Sequence, residues 1–347
     1  MGKLTFVGLG LGDRGVSVAG LDALRTADVA YLEYYTTPHA PGLLSELEKG
    51  SGRTLEIVDR SFVEDGKRIL KEAQGSEVAL AVQGDPMVAT THSDLRTRAI
   101  LEGIQTSVIH GSTIAIAAAS ESGLQYYKFG ATVTFTRQSV DYHQQVYHRV
   151  HKNLIEGSHT LLLLEFDTEL GEGVEPRVLM QGLLDAERNF KREVLSDDTM
   201  VVVLSRVGTP EQGMRGGRIS QLKEVDFGPP PHAVILPGRL HFSEREALAA
   251  VCGLSEESVP DNSARVRRTA QVLVPRYAEK ANKVLKAAKE TLRGENYDEL
   301  LENTELYLRD AESFLANGED ELAMLSVGYA EGLIDSLTFT GKIKIEW

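Results

Sequence analysis

An apolar run, Val78–Val82, breaks at once into Gly84-Asp85-Pro86, and Thr90, Thr91 and His92 follow. An acid between a glycine and a proline at a strand end has two uses. It can cap the next helix, since Asp is a good N-cap and Pro a good first residue. Or it can build a cup for a small polar ligand, because ligands of parallel sheets sit beyond the carboxyl ends of the strands. Two other stretches pose the same choice. Gly8, Gly10 and Gly12 in VGLGLGDRG follow a strand and precede a helix, where bare backbone can approach an anion. In VIHGSTI a strand ends at His110, and Ser112 and Thr113 present hydroxyls or backbone before a small-residue helix.

Several chemistries are excluded. The glycines spell G-x-G-x-G, not the dinucleotide G-x-G-x-x-G. Glu33 does end the next strand, about twenty residues on, where an acid would hold a ribose. A nicotinamide oxidoreductase is therefore an alternative, and it fails on the glycine spacing. His143, His148, His151 and His159 cluster in sequence, but no acid at metal-ligand spacing accompanies them and no H-E-x-x-H occurs, so no metal is expected. There is no G-x-S-x-G and no phosphate-binding G-x-x-x-x-G-K-[ST]. The single cysteine, Cys252, allows neither an internal disulfide nor a thiolate metal site. A net charge of −14 argues against a broad nucleic-acid surface. The start, MGKLTFVGLG, lacks a secretory signal pattern, and no apolar run approaches the roughly 20 residues that span a bilayer. The expectation is a cytoplasmic protein with neither a membrane nor direct nucleic acid as partner.

These residues need elements to position them. The 347 residues leave room for two or three domains. Strands are expected at Leu4–Leu9, Val29–Glu33, Arg53–Val58, Val78–Val82 and Thr106–Ile109. Helices are expected at Val16–Thr26, Lys67–Ala73 and Asp94–Glu102. That alternation predicts a mainly parallel sheet covered on both faces, over 1–113. Residues 114–255 read as a second α/β subdomain with a more mixed sheet. Its strands are Thr132–Thr136, Thr160–Phe166, TMVVVLSRVG up to Arg206, and HAVILPG; its helices are Tyr142–Ile155 and Val178–Asp185. The acidic stretch SEESVPDNS reads as a linker. From 263 to 347 the chain reads as all-α. Val266, Ala270, Leu273, Tyr277, Ala281, Val284, Ala288 and Leu292 mark one helix face. Pro275 should kink or split that helix, and Gly294 can end it. Helices over Tyr297–Leu315 and Glu319–Leu337 follow.

The stretches FVGLGLGD, VAYLEYYT, GDPMVATTHSDLRTRA, VIHGSTI, SGLQYYKFG, HTLLLLEFD and DFGPPPHAVILPGRLHFSEREAL resemble, in order and spacing, the diphthine synthase family of the tetrapyrrole-methylase-like superfamily. The resemblance spans about residues 1–250. It implies two α/β subdomains with S-adenosylmethionine in the cleft between them, usually as a homodimer. The implied substrate is elongation factor 2, whose modified histidine carries an aminocarboxypropyl group that is methylated on its amine. The motif positions that imply cofactor contacts are Leu11, Asp85, Val88, Thr113, Ile114, Leu164, Val207 and His232. The chain departs from the family's usual pattern at Gly12, in DRGVSV, in HGSTI where Ala-Pro-Ser is more usual, and at Glu165. Residues beyond about 260 resemble instead a small archaeal helical domain of unknown function.

The implied reaction needs an aligned amine and a dry pocket more than a strong base, so no catalytic residue is assigned. Its last steps build a quaternary ammonium, which suits aromatic faces; by type, Tyr34, Tyr35, Tyr126, Tyr127 and Phe129 are candidates. The alternative on the same fold is a methyltransferase of tetrapyrroles or other small molecules.

Overall fold

The computed structural model describes residues 2–38, 42–137, 140–167, 170–292 and 296–343. The chain divides into two compact units. One runs up to Arg188 and includes Leu195–Ala264; the other comprises Asn189–Val194 and everything described from Arg265 onward.

The first unit opens with five strands, β1 (Lys3–Gly8), β2 (Val29–Glu33), β3 (Glu56–Val58), β4 (Glu77–Val82) and β5 (Gln105–Ile109). They form one parallel sheet in the order β3-β2-β4-β1-β5. Helices α1 (Val18–Thr26), α2 (Leu43–Ser51), α3 (Arg60–Asp65), α4 (Lys67–Ala73) and α5 (His92–Leu101) cover it. Strand β4 shows why both faces are filled. Val78, Leu80 and Val82 point into one core with Leu4, Phe6 and Tyr31, while Ala79 and Ala81 point into another with Val7, Leu9 and Leu32. Strand β3 is shorter than expected, and α2 and α3 were not expected at all.

The second half of this unit holds α6 (Ile114–Ser122), β6 (Val133–Phe135), α7 (Val140–Ile155), β7 (Thr160–Leu164), a small hairpin of β8 (Phe166–Asp167) and β9 (Glu172–Gly173), α8 (Pro176–Phe190), β10 (Met200–Ser205), β11 (Gly213–Arg218), α9 (Ile219–Leu222), β12 (His232–Leu236) and α10 (Phe242–Cys252). The sheet order is β11-β10-β12-β7-β6, antiparallel except for β6 with β7. The expected mixed sheet is there. Strand β11 was missed because GMRGGR carries no apolar run. A Cβ at Gly216 would meet the Cys252 sulfur at 2.5 Å, so close packing of α10 on this edge strand calls for glycine there.

SEESVPDNS, expected as a linker, is docked instead. Val259 is fully buried in the core of this half. The Asn262 side chain accepts from Met200 N at 2.9 Å and donates to the carbonyls of Met200 and Pro237 at 2.8 and 2.9 Å.

The other unit is helical, with α11 (Thr269–Thr291), α12 (Asp298–Asn317) and α13 (Asp320–Phe339). Its core takes Ala270, Val274, Ala278, Ala281, Leu285 and Ala288 from α11, and Ala323, Val327, Ala330 and Ile334 from α13. These recur every three or four residues, the spacing of one helix face. The stripe on α11 is rotated from the expected one: Leu273, Tyr277 and Val284 are only half-buried. Pro275 does not split α11; it is exposed, and buried Val274 and Ala278 hold the turns on either side. Helix α12 ends at Gly318, in the left-handed conformation at φ 80°. Gly294 lies outside the described residues.

Candidate active site

The three sequence features that could bind a ligand meet at the carboxyl edge of the parallel sheet. The loops after β1 and β4 pair through Gly10 and Gly84, with N–H···O distances of 3.1 and 2.9 Å. A Cβ at Gly8 would lie 2.5 Å from Gly111 N, so the loop after β5 can approach only because both residues are bare. Gly12 packs the same way on the second half of the unit, where a Cβ would sit 2.2 Å from the carbonyl oxygen of Gly208. That contact explains the glycine at a position where bulk is more usual. The glycine cluster therefore brings backbones together. It is not a helix-terminus anion cup, because α1 starts only at Val18, capped by the Ser17 hydroxyl.

Asp85 is not the cap of α5, which has Thr91 in that place. Its side chain is 6% exposed. One carboxylate oxygen accepts from Met87 N at 2.9 Å, a turn of the Asp's own making. The other accepts from Gly111 N at 3.3 Å and lies 2.8 Å from His110 Nδ1. A carboxylate has about four lone-pair sites, so one place is left for a ligand donor. His110 belongs to HGSTI, where the chain departs from its resemblance, and its ring is 74% exposed.

A cleft of about 790 Å³ lies over this edge and is closed by the second half of the unit. Leu11, Asp85, Val88, Thr113 and Ile114 line it from the first sheet's side. Leu164, Val207 and His232 line it from the other. Thr113 caps α6 through its hydroxyl, 3.4 Å from Ala115 N, which leaves mainly its backbone for a ligand. Leu164 is the last residue of β7, and Val207 follows β10. His232 starts β12; burial holds its imidazole below the ordinary histidine range, against a 3.3 Å contact with the Phe227 carbonyl. Two lining residues carry strain that the sequence does not reveal: Ala89 and Arg206 have φ of 56° and 49°. The Gln83 amide donates to the Gly10 carbonyl at 2.7 Å, and among the described residues its buried Oε1 has no partner.

Glu33 is not a ribose ligand. It is fully buried and accepts from Tyr35 N and Thr36 N at 3.2 and 2.8 Å, turning the chain after β2. That turn aims Tyr35 at His92, with Oη 3.1 Å from Nε2, while Nδ1 lies 3.1 Å from the Pro86 carbonyl. Burial pushes His92 below its ordinary value despite Glu33 and that carbonyl. Of the five aromatic candidates, Tyr35 alone lines the cleft. Tyr126 and Tyr127 are exposed on a short 3₁₀ turn, and Phe129 packs edge-on to His159. Among the described residues, no group of three or more His, Cys, Asp or Glu could hold a metal ion.

The tetrapyrrole (corrin/porphyrin) methylase family matches residues 3–223. A diphthine synthase of Methanocella arvoryzae is 39% identical over 256 residues, which cover 72% of this chain and 98% of that protein. The chain belongs to the diphthine synthase family. A diphthine synthase of Methanosphaera stadtmanae is 36% identical over 261 residues, covering 74% of this chain and 99% of that one. The crystal structure of a diphthine synthase matches with a TM-score of 0.66 at 33% identity, over 74% of this chain and 99% of that chain. Residues 276–343 match a separate family, a protein of unknown function (DUF357). The α/β unit accordingly has the role of an S-adenosylmethionine-dependent methyltransferase in diphthamide biosynthesis.

Three of the stretches that resemble the diphthine synthase family are tied together by Glu244, which is 1% exposed. One carboxylate oxygen accepts from Gln125 N at 2.9 Å and faces His159 Nε2 at 3.1 Å. The other accepts from the Lys128 ammonium and from His241 N at 2.8 Å. His159 Nδ1 accepts from Gly238 N at 2.9 Å, which puts the ring proton on Nε2. Burial alone would raise the Glu244 carboxyl, but these four donors outweigh it and hold it at about 2. The sequence signal was a glutamate three residues after His241, the spacing of a capping box, and that motif is present. Nothing in the spacing announces the wider network.

Proposed function

We propose that the cleft binds S-adenosylmethionine and accepts the aminocarboxypropyl-modified histidine of elongation factor 2, whose amine is methylated. One observation carries the reading: the eight motif positions, scattered from Leu11 to His232, all line a single cleft. The cleft has the volume of ordinary cofactor sites, roughly 300–1,000 Å³. Its polar groups fit a cation rich in donors. Among the described residues Asp85 has a lone pair to spare, Gln83 Oε1 lacks a donor, and Asp13, Glu165 and Glu211 add negative charge to the lining.

When bound, the cofactor supplies a methyl already activated on a sulfonium. The chain has to hold both reactants in line and exclude water. Ile114, Leu163, Leu164 and Val207 present the apolar wall. The accepting amine must be neutral; an alkyl amine has a pKa of about 10, and desolvation beside a positive charge lowers it. His92 is engaged at both ring nitrogens, so it is not a free base. The resemblance further supports a homodimer acting in the cytoplasm. Among the described residues, no helix is long and apolar enough to cross a membrane.

The test is mass spectrometry of elongation factor 2 bearing the unmethylated group, after incubation with the protein and cofactor. Mass increments of one methyl each, confined to the modified-histidine peptide, are expected. Bound cofactor with no increment on that peptide overturns the substrate assignment.

A further inference from the structure

The expected cofactor positions use only part of the sheet edge. Leu11 follows β1, Asp85 and Val88 follow β4, and Thr113 and Ile114 follow β5. None follows β2 or β3, yet the cleft continues there, lined by Tyr35 and Thr36 after β2 and by Arg60 and Glu64 in α3. In the order β3-β2-β4-β1-β5, with strands about 4.8 Å apart, the end of β3 lies roughly 10 Å from that of β4 and 14 Å from that of β1. The β2–β3 side is a second end of the same cleft.

Arg60 is the cation of that end. Its guanidinium sits over the Tyr35 ring, 5.4 Å from the centroid. Tyr35 is itself fixed, by His92 at its hydroxyl and by Glu33 at its backbone. Among the described residues Arg60 has no ion pair and no hydrogen bond. The other arginine of the lining, Arg206, is committed to the carbonyls of Glu211, Phe227 and Pro229. The remaining charged side chains of the lining are acids. Among the described residues, Arg60 is the one cation of the lining whose donors are uncommitted, so an anionic group entering the cleft can pair with it. A guanidinium presents a planar fork of donors, which suits a carboxylate.

We infer that Arg60, held against Tyr35, determines substrate specificity by binding the carboxylate of the aminocarboxypropyl group. The inference rests on the functional reading above. In that group the carboxylate and the amine share one carbon, so fixing the first aims the second. The methionine part of the cofactor carries the same α-amino carboxylate. Arg60 is assigned to the substrate because the cofactor positions lie along the other strands.

The experiment uses the full chain, as wild type, R60Q and R60K. Cofactor affinity is measured by calorimetry, and KM and kcat on elongation factor 2 bearing the unmethylated group. For R60Q, KM for the protein substrate is expected to rise about tenfold or more, the value of one charge-assisted bond. Cofactor affinity should stay within twofold, and R60K should recover part of the loss. An unchanged KM overturns the inference. So does a fall in cofactor affinity that matches the rise in KM, since Arg60 would then hold the cofactor's carboxylate. An active wild type with an unaffected R60Q ends the inference alone; a wild type that methylates no elongation factor 2 ends the functional reading and the inference with it.

Discussion

Buried polar groups divide unevenly between the two units. The α/β unit hides Glu33, Asp85 and Glu244 together with His92, His151, His159 and His232. Among the described residues the helical unit hides two hydroxyls, Thr304 and Ser326, and that of Thr304 only returns to the Leu300 carbonyl of its own helix. Burying a charge is costly unless every lone pair and proton finds a partner. A chain keeps such groups where position matters more than stability. The helical unit rests on a stripe of Ala, Val, Leu and Ile, which specifies packing and carries no chemistry. Most of its ion pairs, such as Lys289 with Glu305, lie on the surface, and Arg268 with Asp320 is half-buried.

The largest effect that can break this comparison is at Glu244. Replacing it with alanine leaves the Lys128 ammonium only the Arg239 carbonyl and strands the His159 Nε2–H and two backbone N–H groups. The α/β unit should lose about 3–5 kcal/mol in chemical denaturation, the usual cost of breaking a buried pair. Glu305→Ala, in the helical unit, should leave the denaturation midpoint where it was, because exposed pairs contribute little. Equal responses would mean that burial does not separate the two units.

Asp85 gives a smaller effect of a different kind. Asp85→Ala frees the N–H groups of Met87 and Gly111 beside the cleft. The stability cost should stay near 1–3 kcal/mol, and the protein should fold. Cofactor affinity, read by calorimetry, should fall at least about tenfold. Wild-type affinity in the folded variant would remove Asp85 from the cofactor site.

What was legible in the sequence follows the same division. Continuous apolar runs such as Val78–Val82 announced buried strands, and three- and four-residue steps announced the helical unit. Strand β11 was not legible, because GMRGGR carries no apolar run and Gly216 answers to Cys252 on a helix farther along the chain. Helix α3 has six residues and depends on the Asp59 cap rather than on periodicity. At the site, Asp85 could be read as ligand or cap, and only the position of Thr91 at the start of α5 decides against the cap. Glu33 looked like a ribose acid because sequence gives strand ends but not burial. No sequence pattern marks Arg60 or the wider network of Glu244. Each acts through partners, Tyr35 and His159, that lie 25 and 85 residues away in sequence.

The finest separation of the two units is their response to mild acid. Burial lowers His92, His159 and His232 from the ordinary value of 6.5. Such groups take up protons on unfolding, so their contribution is complete above pH 6.5 and is lost as the pH falls below it. The helical unit contains no histidine from Arg265 onward. It does contain Glu331, raised by burial and by Asp335. A carboxyl with a raised value in the folded state destabilises the fold when ionised, and that cost is relieved as the pH falls through the raised value. From pH 7 to 5 the α/β unit should therefore lose stability while the helical unit changes little, because Glu279 and Glu305, lowered by Lys283 and Lys289, oppose Glu331. In scanning calorimetry, the transition that bound cofactor raises marks the α/β unit. It should drop by a few degrees over that range, while melting of the helical unit holds. A cofactor-raised transition that stays flat from pH 7 to 5 would mean that the three imidazoles keep ordinary affinities in the fold, and that the buried network around His92 and His159 is looser than its hydrogen bonds imply.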